Sequence, residues 1–163
     1  MTPLKIGLAA LVLLLISSPV LSDKPGDTAA LSGVTAGRVV FDINTTLAGK
    51  LSLYLQVIRE THDDLKRQGV TPEMVLAFRG KAVTLVSSDR QHQELTEYED
   101  LDRVAAQIKE LQSVGVQMEG CSIATRLYGV DNQTLLPGIT PVGNTFVSLI
   151  GYQARGYALI PIY

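Results

Sequence analysis

The sequence predicts an α/β fold, a three-layer α/β/α arrangement around a mostly parallel sheet of about five strands. Short apolar runs rich in β-branched residues alternate with longer segments of helical period. The strand runs are continuous rather than alternating in polarity, which suits strands buried on both faces. Strands separated by helices need crossover connections, and these lay helices on both faces of the sheet.

The first strand is Arg38 to Asn44, and Asn44-Thr45-Thr46 supplies candidate caps for the helix that follows. Leu47, Leu51, Tyr54, Leu55, Ile58 and Leu65 recur on one helical face, with Gly69 as C-cap and Pro72 barring continuation. Met74 to Phe78 is the second strand, closed by Arg79-Gly80. Ala82 to Val86 fits a helical turn better than a strand, and Ser87 to Glu97 reads as an exposed connection. Thr96 and Glu99 have capping-box spacing ahead of the stripe Leu101, Val104, Ala105, Ile108 and Leu111. Gly115 ends that helix, Val116 to Glu119 is a third strand, and Ile123 to Leu127 makes one or two helical turns. Two prolines make any strand within Leu135–Val142 short or peripheral. Asn144 then caps a helix expected to turn Phe146, Ile150 and Ala154 inward. Tyr157 to Ile162 is the last strand, and Pro161 places its end near a sheet edge.

Composition bounds the possible functions. The 163 residues are 46% hydrophobic and 18% charged, too apolar for a disordered chain and sized for one domain. With 14 basic and 16 acidic residues the chain lacks a basic footprint, so no nucleic-acid partner is expected. One cysteine excludes an internal disulfide framework and a multi-cysteine metal site.

Residues 1–22 read as a secretory signal peptide: Lys5, then the apolar run Ile6–Ile16, then a break at Ser17-Ser18-Pro19. That run is about half of the roughly 20 residues that span a bilayer. Residues 23–37 read as a flexible leader and 38–163 as the folded domain, placed in the periplasm or outside the cell.

Cys121 is the strongest chemical candidate. It follows a strand and opens a helical turn, where free N–H groups favour thiolate over thiol. Gly120 before it permits close approach. Free cysteines are also commonly plain core residues, although an exported protein meets an oxidising compartment in which an idle thiol is a liability. Arg79-Gly80-Lys81 forms a basic cluster at a strand end, able to bind an anion or steady a thiolate, or merely to solvate a turn. His62 and His92 sit in polar contexts and read as solvated. No dinucleotide glycine motif, P-loop or nucleophile elbow occurs.

Four stretches resemble the DsrE/DsrF-like family of small sulfur-relay proteins. They are Val39–Asn44, Val75–Val83, Gly115–Ala124 with Tyr128-Gly129-Val130, and Gly151–Leu159. The resemblance implies a three-layer α/β/α fold, assembly into homo- or hetero-oligomers, and a persulfide carried on Cys121 and handed between proteins. It carries over Cys121 alone; Arg79, Lys81 and Ser122 are expected beside it on their positions here. The relay members are cytoplasmic, whereas residues 1–22 read as an export signal. The leading expectation is a periplasmic sulfur carrier that exchanges sulfur with donor and acceptor proteins or small sulfane-sulfur compounds, without metal or organic cofactor. The alternatives are a non-catalytic oligomeric binding module in which Cys121 is structural, and a dimer linked through Cys121.

Overall fold

The structure is a computed structural model that describes residues 24–91 and 93–163. The expected signal peptide and His92 lie outside the described residues.

Five strands form one parallel sheet: β1 (Ala36–Ile43), β2 (Thr71–Phe78), β3 (Gln117–Cys121), β4 (Ile139–Val142) and β5 (Ala158–Ile162), in the order β4-β3-β2-β1-β5. The helices are α1 (Ala48–Arg67), α2 (Ala82–Leu85), α3 (Tyr98–Ser113), α4 (Ser122–Leu127) and α5 (Thr145–Ala154). From β1 to β4 each new strand is added on the same side of the last. Right-handed crossovers then put their helices on one face, and the return from β4 to β5 puts α5 on the other. Alternate strand residues confirm this. Val39, Phe41, Ile43, Met74, Leu76, Phe78 and Met118 pack with Leu51, Leu55 and Ile58 of α1 and Val104 and Ile108 of α3. Val40, Val75 and Ala77 face the opposite way, onto Leu149 and Tyr152 of α5. The first core is much the larger, because two long helices cover it and a ten-residue helix covers the second.

The expected edge positions hold. Pro141 lies in the edge strand β4, and Pro161 in the edge strand β5. The Asn44 N–H donates to the Ile162 carbonyl, so Ile162 bonds toward β1 and Pro161, one residue away, turns its missing donor to the open edge. This leaves the exposed edge short of a pairing group.

Several local expectations need correction. None of Asn44, Thr45 and Thr46 caps α1; Leu47 takes that position without a side-chain bond. Thr96 does not cap α3. A single 3₁₀ turn, Leu95–Glu97, precedes it, and its i+3 bonds take the N–H groups of Glu97 and Tyr98. His62 is buried, because its position continues the inward stripe Leu51, Leu55, Ile58 of α1. On α5 the inward residues are Thr145, Leu149 and Tyr152, while Phe146 and Ile150 are 58% and 68% exposed. Tyr152 fixes that rotation, donating its hydroxyl to Glu119 at 2.7 Å. Burial, with the Glu119 carboxylate, pushes its pKa up to about 12.

Residues 24–35, within the stretch expected as leader, lie along the end of α1. Lys24 pairs with Asp64 at 2.6 Å, and Gln68 accepts from the Asp27 N–H at 2.5 Å. β1 begins at Ala36, two residues inside that stretch.

Candidate functional site

In a parallel sheet with helices on both faces, ligands gather outside the carboxyl ends of the strands. Here those ends bring together Asp42 of β1 and Asn44 just after it, Arg79 and Gly80 after β2, and Cys121, the last residue of β3. The start of α5 closes the site from the opposite face. Asn144 caps α5, its side chain accepting from the Phe146 N–H at 2.9 Å, and Thr145 behind it is buried.

Cys121 is 5% exposed and lines a cavity of about 240 Å³. Arg79, Ile123, Leu127, Tyr128, Thr145 and Phe146 share its wall. Cys121 is also the N-cap of α4. Burial is the largest single influence on its thiol and opposes ionisation. The Thr145 N–H and hydroxyl and the N–H groups of Ala124 and Ile123 act the other way, and together they hold the thiol below its ordinary pKa. Cys121 thus sits where the starts of α4 and α5 meet at the cavity. At both, the first N–H groups have no partner within their own helix.

Gly120 sits in close packing. A Cβ there would stand 2.9 Å from Leu135 Cδ1 and 3.3 Å from Ile139 Cγ2. Gly80 adopts φ 55°, in the left-handed region, and a Cβ would run into the Asn44 side chain.

The expected basic helpers part company. Arg79 lines the cavity, but its Nε and Nη2 donate to the two carboxylate oxygens of Asp42 at 2.5 and 2.8 Å. That pairing raises the guanidinium pKa despite partial burial. With the Asn44 amide turned so that both its groups are satisfied, Asn44 accepts from Arg79 Nη1 and donates to the Arg79 carbonyl, each at 3.2 Å. Phe146 lies against the guanidinium face, 5.3 Å from ring centre to Cζ. Lys81 is exposed at the start of α2 and does not line the cavity. Ser122 is also outside the lining, its hydroxyl accepting from Asn132 at 3.1 Å.

Asp42 and Thr145 were not singled out from the sequence. Asp42 could have been: it is a lone charge inside the apolar run Val39–Ile43, and a buried charge demands a partner. Thr145 carries no such signal. Among the described residues no cluster of three or more His, Cys, Asp or Glu could hold a metal, and no helix is long and apolar enough to cross a membrane.

Comparison with known proteins follows the same outline. An uncharacterised protein of Aquifex aeolicus (strain VF5) is 24% identical over 125 residues, covering 76% of this chain. The alignment covers 55% of that relative, so this chain spans about half its length. Among solved structures, a protein of unknown function from Methanobacterium thermoautotrophicum superposes with a TM-score of 0.61 at 22% identity, covering 76% of this chain and 97% of the other. The ychN protein of E. coli gives 0.54 at 16% identity, covering 77% and 98%. These likenesses show the fold. The model of the DsrE/DsrF-like family matches residues 38–162, every strand but the first two residues of β1 included, and the chain belongs to that family.

Proposed function

We propose that this protein is an exported sulfur carrier, working in the periplasm or outside the cell, with Cys121 as the carrier residue. The observation that supports it is the position of the one cysteine, at the end of β3 in a cavity where two helix starts favour its thiolate. In loading, the Cys121 thiolate attacks the terminal sulfur of a donor R–S–SH. The Cys–S bond to that sulfur forms, the donor S–S bond breaks, and R–S⁻ leaves with the electron pair. In discharge, an acceptor thiolate attacks the same terminal sulfur, and Cys121 leaves as thiolate. Neither step changes the overall oxidation state, and neither calls for a metal or organic cofactor.

Arg79 holds its place beside the sulfur through Asp42, and we assign Lys81 and Ser122 no part in the exchange. Partners are sulfur donors and acceptors, protein or small molecule. Phe146, Val147 and Ile150 form an exposed apolar stripe on α5, next to the cavity, that suits assembly with further copies. The alternative, a binding module with a structural cysteine, draws on the low exposure of Cys121.

Transfer of sulfur from loaded protein to a labelled acceptor thiol separates the two readings. Wild type should transfer and Cys121→Ser should not, while both keep the same circular dichroism. Transfer undiminished in Cys121→Ser would defeat the carrier role.

A further inference from the structure

The charge balance of the Cys121 cavity bears on the kind of donor it admits. Among the residues that line it, Arg79 is the one carrying positive charge. That charge is matched by Asp42, which takes two of the five guanidinium N–H groups; Asn44 takes a third, and Phe146 covers one face. The Asn144 side-chain oxygen accepts from the Phe146 N–H. Cys121 is the N-cap of α4, and Thr145, which shares the cavity wall with it, is the first residue of α5. Ile123, Ala124, Leu127, Tyr128 and Phe146 make the rest of the wall chiefly apolar.

A sulfur oxyanion entering this space would shed its hydration against a chiefly apolar wall whose one cation is already matched by Asp42. It would also approach a thiolate of the same charge. An uncharged group would instead gain from burial against the apolar wall, and about 240 Å³ accommodates a group of benzyl size.

Resting on the carrier reading above, we infer that the cavity selects uncharged sulfane sulfur borne on an apolar group and disfavours sulfur oxyanions such as thiosulfate. The reaction with a neutral hydropersulfide is R–S–SH + Cys121–S⁻ → Cys121–S–SH + R–S⁻. The S–S bond of the donor breaks, a new one forms at Cys121, and the thiolate R–S⁻ carries away the electron pair.

The test compares loading rates for benzyl hydropersulfide and thiosulfate by intact mass, each divided by the rate on a free cysteine peptide. The native protein should favour benzyl hydropersulfide by at least tenfold after this correction. Leu127→Arg adds a free cation at an exposed position of the wall and should narrow the preference at least threefold. A corrected preference near one in the wild type would overturn the selectivity and leave the carrier reading standing. An unchanged preference in Leu127→Arg would overturn its electrostatic basis. Loading by neither donor would contradict the carrier reading itself.

Discussion

Arg79 and Asp42 form a two-pronged ion pair, 2.5 and 2.8 Å, that ties the ends of β1 and β2 together beside Cys121. Both side chains are mostly buried, so the pair differs in kind from surface pairs such as Arg38 with Glu73. Removing one partner strands the other charge. Asp42→Ala should lose stability near the lower end of the about 3–5 kcal/mol typical of broken buried pairs, read from urea unfolding. Glu73→Ala should leave the urea midpoint unchanged within error. Equal losses from the two would mean that the Asp42 pair is effectively solvated.

Cys121 ionises more readily than an ordinary thiol. The rate of its alkylation by iodoacetamide in the native protein should therefore rise with pH through a midpoint below the roughly 8.5 of a free cysteine. Thr145→Val, which keeps the shape and removes the hydroxyl, should move that midpoint upward. The sign also reaches stability. A depressed native pKa means that the unfolded chain binds more protons between the two values. Wild type should thus gain stability over Cys121→Ser as pH rises across that window, and lose the gain as pH falls through the native pKa. A flat difference between pH 6 and 9 would contradict the lowered pKa.

The outward face of α5 contributes little to the folded monomer. Val147 and Ile150 are 65% and 68% exposed, so Val147→Glu and Ile150→Glu should shift thermal stability of the isolated subunit by about 0.5 kcal/mol or less. If that face joins copies of the chain, the same variants should reduce the assembled mass measured by light scattering. An unchanged mass in both would move assembly to another surface.

Leu55 has no exposed surface and packs between α1 and the sheet. Leu55→Ala should cost about 2–5 kcal/mol, from lost transfer energy and the cavity left behind. Leu127, 71% exposed, should tolerate the same substitution within about 0.5 kcal/mol. Denaturant midpoints of the two variants check the contrast.

The strands and long helices were legible because their patterns follow from burial. Continuous runs such as Val39–Ile43 require cover on both faces, and the stripe Leu101, Val104, Ile108, Leu111 requires one. Cys121 was legible because a strand end meets a helix start within the sequence itself. The rotation of α5 was not. Its sequence, Thr145–Ala154, offers apolar residues on several faces, and the long-range bond from Tyr152 to Glu119 decides which of them turns inward. His62 misled for the opposite reason: its neighbours Asp63 and Asp64 are polar, but its helical phase is that of the core. The role of Arg79 depended on Asp42, 37 residues earlier, a distance over which local pattern carries no information.

The most direct measurement is the intact mass of the native protein before and after exposure to a sulfane-sulfur donor, then after reductant. The account predicts a gain of one sulfur atom, localised to Cys121 and removed by the reductant. A native protein that gains nothing, while its denatured form reacts freely, would contradict a working thiol and make Cys121 a core residue.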